Sequence, residues 1–385
     1  NTMFDFSYIS VASFGTESFR SIVILCCLLL LWYSTSICTS TTSKELLNYF
    51  PFPLLLCSVQ FLTASIISFA YLRLSGTYRA FSTGLQSTLV WKISSAYTCG
   101  FVLTNIAFSL ADAPFVETVK AAEPFTTCIV GLLLLGEIYS TATYLTLIPV
   151  CGGVALSCYS NINSFSLASF CVVIAANSCF SARSTFTKLL SAAVLSNNEK
   201  SHAHLTRNDI EGNGNQHQTV VNGKEVINSN RKPVGVDAFN LFFAISFRGL
   251  AILVPLMLIF EGSQLMEKVF GAQRISAIID TSSSGTGNTA ALNPLTLVVV
   301  FLANGLTFTC FNCTSYVVLM RTQLITHAVF NVFRRVFIIF ATSLYFQLPL
   351  TVSTCMGVGV ATLGVFLFGR FKQLVTTSSS GMGGS

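Results

Sequence analysis

The sequence predicts an all-α integral membrane protein, with ten transmembrane helices arranged as two inverted five-helix repeats. Three observations predict it. Of the 385 residues, 52% are hydrophobic and only 9% are charged, whereas a soluble domain carries about 25% charged residues. Apolar runs near the ~20 residues that cross a bilayer as a helix recur along the whole chain. The ten runs are read as two sets of five, assigned to either side of a long polar stretch, and an odd number of spans per set turns the second set over relative to the first.

Residues 1–20 form an N-terminal segment of mixed polar and aromatic character, without a signal-peptide pattern. Residues 21–196, assigned to the first repeat, hold the apolar segments Ser21–Cys38, Pro53–Leu74, Leu89–Leu110, Pro114–Leu135 and Tyr144–Tyr159, and also the sixth run, Leu167–Leu190. The second, 237–372, contains Ala238–Phe260, Leu295–Met320, Leu324–Phe346 and Thr351–Phe371. Between them, 197–236 is rich in Asn and Gly and almost free of aromatics. Such a stretch cannot bury a core and is expected to be disordered. Residues 280–293 read as a flexible Ser/Gly loop and 373–385 as a flexible tail.

Several function classes are excluded at this stage. The net charge of +6 is spread thinly, unlike a nucleic-acid-binding face. Most of the 13 Cys lie within apolar runs, where they act as small packing residues. No paired CxxC arrangement offers a zinc site, and His202, His204 and His217 lie in the solvated linker. No nucleophile–base pair, phosphate-cradling loop or metal cluster is present, so neither an enzyme nor a cofactor is expected. The glycines of GVGVATLGVFLFG have the small-xxx-small spacing of helix packing. Lys44, Lys268 and Arg274 are the basic residues assigned to loops opposite the termini. The bias of the remaining loop cations puts both termini and the long linker on the cytoplasm-like side.

The candidate site follows from cations within the spans. Leu324–Phe346 carries Arg334 and Arg335 near its middle. A charge at that depth costs about 2.5–3.5 kcal/mol on insertion scales, so these side chains are expected to face the interior and meet an anion. Lys120 lies in VETVKAAEPF, beside Pro124, which bends a helix by freeing a carbonyl. A local Lys120–Glu123 pair at i, i+3 is the structural alternative. Guanidinium forks match phosphate oxygens. Lys120, Arg334 and Arg335 are therefore the candidate phosphate clamp. Arg183 and Lys188 read as snorkelling to the interface, and Arg248 has no evident partner. Asn105, Asn304, Asn312 and Asn331 read as amides that join helices.

NYFPFP (Asn48–Pro53), GFVLTN (Gly100–Asn105), TVKAAEPF, DAFNLFFAIS (Asp237–Ser246) and THAVFNVFRRVF (Thr326–Phe337) together resemble the plastid phosphate translocators of the drug/metabolite transporter superfamily. The resemblance spans roughly Leu25 to Lys372, apart from the two polar loops. That family usually has Lys-Arg where this chain has Arg334-Arg335. The resemblance implies exchange of inorganic phosphate for a phosphorylated compound, with Lys120, Arg334 and Arg335 on the phosphate. It places Thr104, Phe101, Phe311 and Asn312 around the organic part. Phe101 stands where triose-phosphate members have His, and Phe311 where they have Tyr; Cys313 follows Asn312 where they have Gln. A site stripped of those polar groups disfavours substrates that relied on them, which admits a carboxylated enol phosphate.

The expected function is antiport of inorganic phosphate against triose phosphate, phosphoenolpyruvate or a similar compound, across an organelle membrane by alternating access. The plastid inner envelope is the expected location. The expected partners are the lipid bilayer, phosphate and the phosphorylated substrate. The competing readings are a nucleotide-sugar antiporter of the Golgi or endoplasmic reticulum and a non-transporting membrane scaffold.

Overall fold

Hydrocarbon offers no water to backbone N–H and C=O groups, so a chain this apolar must satisfy them internally. The computed structural model describes residues 16–81, 84–136, 138, 140–160, 166–211, 237–268, 294–322, 324–349 and 351–381, and among these residues there is no strand. The helices are α1 (Thr16–Tyr49), α2 (Pro53–Leu74), α3 (Gly84–Leu110), α4 (Ala113–Lys120), α5 (Glu123–Leu135), α6 (Thr141–Leu145), α7 (Leu147–Ser160), α8 (Leu167–Glu211), α9 (Ala238–Phe260), α10 (Pro294–Arg321), α11 (Leu324–Tyr345) and α12 (Val352–Gly381). Among the described residues, eight helical stretches are long and apolar enough to cross a membrane, with α6 and α7 joined as one of them. The count is nine if α4 and α5, bent by 45°, form one broken span. The 22-residue α11, with its two interior arginines, stands outside that count, so the described residues give eight or nine where ten were expected.

Element ends follow local chemistry. Pro53 opens α2, where its missing N–H is harmless. The α2 amides of Leu54 and Leu55 each donate to a Glu261 carboxylate oxygen at 2.8 Å, so an anion closes the positive end of the helix. Asp237 caps α9 by accepting from the Phe239 amide at 3.1 Å. At Gly136 the chain leaves α5 in the left-handed region, φ 64°, as a C-terminal glycine permits. The α4–α5 break falls at Ala121 and Ala122, with Pro124 in the first turn of α5.

Three boundaries differ from expectation. The first apolar segment was placed at Ser21–Cys38, but α1 continues to Tyr49. Its last turns are mostly polar, and they are held because they face protein: Lys44 is buried and donates to the Phe108 carbonyl near the end of α3 at 2.8 Å. Lys44 is therefore a helix-end partner and not a loop cation. The polar linker expected at 197–236 is helical as far as Glu211, carried on as an extension of α8, and 212–236 lie outside the described residues. Likewise α12 runs to Gly381, through most of the expected tail. The 280–293 loop lies outside the described residues.

The helices pair in a regular scheme. α2 packs on α9, α4 on α11 and α7 on α12. α3 packs on α8 and α9, and correspondingly α10 packs on α1 and α2. α5 meets α8 as α11 meets α1. At the α7–α12 seam, a Cβ added to Gly357 would lie 2.6 Å from the Gly153 carbonyl, and one added to Gly364 would lie 2.7 Å from the Val150 amide nitrogen. Only glycine allows that approach, as the small-residue spacing predicted. Between α1, α2, α3 and α10 lies a buried amide network. Gln60 donates to Asn304 at 2.8 Å, Asn304 to Thr42 at 2.7 Å and Ser43 at 3.0 Å, and Asn105 to Cys57 at 3.1 Å. These bonds fix helix register where apolar packing alone is indifferent to it.

Candidate functional site

The α4–α5 break places Lys120 on the last residue of α4 and Glu123 on the first residue of α5. Glu117 lies one turn before Lys120 and is buried. α11 packs across this break and delivers both arginines to it. Arg335 Nη2 pairs with Glu123 Oε2, and Lys120 Nζ pairs with Glu117 Oε1 at 3.2 Å. Arg334 Nε donates to Asn331 Oδ1 at 3.0 Å. Its guanidinium lies 5.7 Å from the ring centres of both Trp32 and Phe311. Lys120, Arg334 and Arg335 thus gather at the α4–α5 break, with Glu117 on Lys120 and Glu123 on Arg335.

This geometry sets aside the structural alternative, since Lys120 pairs with Glu117 and not with Glu123. The three cations are gathered, but they are not all left without protein anions: Glu117 serves Lys120 and Glu123 serves Arg335. What is left over is one positive charge, together with Arg335 Nη1, a buried donor with no hydrogen-bond partner. Arg334 touches aromatic faces and an amide, the weaker forms of compensation for a cation.

Sequence reasoning missed the support from α1. Trp32 is stacked between this site and His327, with ring centres 5.0 Å apart and planes 20° from parallel. His327 Nε2 lies 3.2 Å from the Ser315 hydroxyl, so it is packed and bonded. Tyr33 donates its hydroxyl to the Phe330 carbonyl of α11 at 2.8 Å. Glu117 was legible at i, i−3 from Lys120, on the same face as a partner should be. Trp32 carried no such signal, because nothing local ties α1 to a helix 300 residues away.

The four residues assigned to the organic part occupy an adjoining aromatic wall. Phe311 lies under Arg334 and meets Phe308 edge-on at 5.6 Å. Phe308 meets Phe101 at 5.0 Å, and Phe101 meets Tyr97 at 4.7 Å and Phe180 at 5.2 Å. The Tyr97 hydroxyl donates to Asn312 Oδ1 at 3.1 Å, while Asn312 Nδ2 donates to the Phe308 carbonyl at 2.8 Å. Thr104 is buried and donates to the Gly100 carbonyl of its own helix at 2.8 Å. Arg183, expected to snorkel, instead lies over the buried Tyr97 ring at 5.4 Å. An aromatic face competes successfully with the interface for that guanidinium.

Comparison with known proteins accords with this arrangement. The profile of the Triose-phosphate Transporter family matches residues 23–207 and 212–369. The chain belongs to this family. The relatives it matches include proteins named as plastid phosphate translocators. One, "Phosphoenolpyruvate/phosphate translocator 1, chloroplastic" from Oryza sativa subsp. japonica, is 26% identical over 345 residues, 89% of this chain and 71% of the relative. A second, "Triose phosphate/phosphate translocator, non-green plastid, chloroplastic" from Brassica oleracea var. botrytis, is 24% identical over 94% of this chain and 76% of its own length. A third, "Glucose-6-phosphate/phosphate translocator 1, chloroplastic" from Arabidopsis thaliana, is 23% identical over 89% of this chain and 73% of the relative. The first family block covers Lys120 and its paired Glu117, and the second covers Arg334 and Arg335, so the whole cation cluster falls within matched sequence.

Proposed function

We propose that this chain is an antiporter that exchanges inorganic phosphate for a phosphorylated sugar or a C3 organic phosphate across an organelle membrane. The observation that carries the proposal is the meeting of Lys120, Arg334 and Arg335 at the α4–α5 break, with one positive charge in excess and a buried guanidinium donor open. A phosphate carries ~1.5–2 negative charges near neutral pH in its esterified form. It would take the open donors of Arg334 and Arg335 and draw Lys120 toward itself. Glu117 and Glu123 hold Lys120 and Arg335 in place while the site is empty, and yield part of that role when phosphate arrives. The relatives' names, each pairing an organic phosphate with phosphate, support the same substrate class.

The organic part is proposed to lie along Phe311, Phe308 and Phe101, with Thr104 and Asn312 at its margins. That wall has few free polar groups, since Thr104 and Asn312 already bond within the protein. It suits phosphoenolpyruvate or triose phosphate better than a polyol chain. The proposed location is a plastid membrane, which the relatives' names support, and within the plastid we propose the inner envelope.

Alternating access is proposed as the rocking of two inverted five-span halves. The sequence assigned them to 21–196 and 237–372, but six spans precede the 197–236 linker, and the pairing scheme supports a boundary between α7 and α8 instead. Exchange each of the first five spans for its counterpart in the second five, and α3–α8 becomes α10–α1, α3–α9 becomes α10–α2, and α5–α8 becomes α11–α1. α2–α9, α4–α11 and α7–α12 map onto themselves, as pairs on a two-fold axis must. The candidate site sits on one such pair, α4–α11, where a repeat-based transporter keeps its substrate. Closing the empty site would bury uncompensated positive charge, which is costly, so return is favoured only with cargo. Reconstitution into liposomes tests this. Uptake of labelled phosphate should require phosphate or an organic phosphate inside, and equal uptake into vesicles lacking both would refute the exchange reading.

A further inference from the structure

A second cationic cleft lies away from the phosphate cluster. It has a volume of about 440 Å³ and lies between the α2–α3 connection, α3 and α9, with Tyr78, Arg79, Trp91, Phe243, Phe247 and Arg248 among its lining residues. Arg248 is an arginine inside a span, a position that is rarely occupied without a function. Its Cα lies about 15 Å from the start of α9 at ~1.5 Å per residue. Its side chain nevertheless climbs to the first turn of α3, where Nη2 approaches Ser87 Oγ at 3.5 Å and the guanidinium lies 5.5 Å from the Trp91 ring centre. The guanidinium thus stands near the membrane interface. It is not simply released into water, because Nη1 is buried and has no hydrogen-bond partner. Among the described residues, neither Arg248 nor Arg79 has a carboxylate at ion-pair distance.

The rim is held in place. Asn240 accepts from the Arg79 amide at 2.8 Å and donates to the Thr77 carbonyl at 2.9 Å. Arg73 stacks on Phe69 and Tyr78 at 5.0 and 4.9 Å, and Phe69 and Phe243 lie 5.3 Å apart. The apolar lining continues onto outward faces within two spanning helices, where Trp91 is 44% and Phe247 58% exposed. Two cations at the interface above an exposed aromatic face match one chemical species: a phosphate headgroup with a net negative charge, attached to acyl chains. A free phosphate would use the cations and leave the aromatic face without purpose. We infer that this cleft binds an anionic phospholipid, with the headgroup on Arg79 and Arg248 and a chain along Trp91 and Phe247.

The test uses the full chain, purified in detergent. Thermal stability is followed during titration with phosphatidylglycerol, phosphatidylcholine or inorganic phosphate. The parent should gain more from phosphatidylglycerol than from phosphatidylcholine. Arg248→Gln should weaken phosphatidylglycerol binding about tenfold, as loss of a charge-assisted contact does, and leave the response to inorganic phosphate unchanged. Arg248→Lys should restore part of it. Ala251→Trp, which fills the cleft without altering charge, should abolish the lipid preference and serves if Arg248→Gln does not fold. Equal preference in parent, Arg248→Gln and Ala251→Trp overturns the inference. So does loss of the inorganic phosphate response in Arg248→Gln, which would make this a free-phosphate site.

Discussion

At the scale of single residues, the decisive fact is how few carboxylates stand among the buried cations. Glu117 and Glu123 answer Lys120 and Arg335, and Arg334 is left to aromatic rings and an amide. Arg335→Ala removes both an ion pair and an open donor. We expect phosphate affinity to fall roughly 10- to 150-fold, the range of ~1.5–3 kcal/mol for a hydrogen bond to a charged group. Equilibrium binding of labelled phosphate reads this, and unchanged affinity would take Arg335 out of the clamp. Glu117→Gln has the opposite sign on one axis. It leaves Lys120 without its anion, so the empty protein should melt earlier, while the stabilisation gained from phosphate should exceed that of the parent. An unchanged phosphate-dependent shift would show that Glu117 does not compete with the ligand. The sequence revealed the cations through their cost in hydrocarbon, and it also held Glu117 one turn away. The Arg335–Glu123 pairing, across 212 residues of separation, could not be read from any local pattern.

Among the elements, two contacts hold helices at distances that side chains usually forbid or satisfy ends that usually face water. Gly357 on α12 meets the backbone of α7, whereas a Cβ at Gly359, two residues on, would meet nothing within 4 Å. Gly357→Leu should destabilise the protein by roughly 1–3 kcal/mol or more, the cost of overpacking, and Gly359→Leu should leave stability nearly unchanged. Melting in matched detergent compares them, and equal effects would deny the seam its close approach. Glu261→Ala should cost about 1–2 kcal/mol through loss of the anion at the α2 N-terminus. Helix positions were legible here because apolar length is a local property. Helix ends were less so. α1 continues through a polar turn because Lys44 finds the Phe108 carbonyl, and α8 continues through NNEKSHAHL. The end of α1 is decided by what lies beside it in space.

For the whole molecule, α11 packs against α4, and the cation cluster lies at that contact. Removing residues 212–232, between α8 and α9, should leave the rate of phosphate exchange in liposomes within about twofold, since changes in connection length carry a small entropic effect. A collapse of exchange with folding intact would give that segment a role in transport, and would favour the scaffold reading if partner binding were lost as well. Composition, span length and the intramembrane cations were enough to place this chain in a bilayer and to propose an anion as its guest, because each is a property of a short stretch weighed against hydrocarbon. Which carboxylate meets which cation, which rings cover Arg334 and which way Arg183 turns were settled only once helices distant in sequence lay side by side. Buried charge takes the nearest partner in space, and proximity in space is a property of the packed bundle.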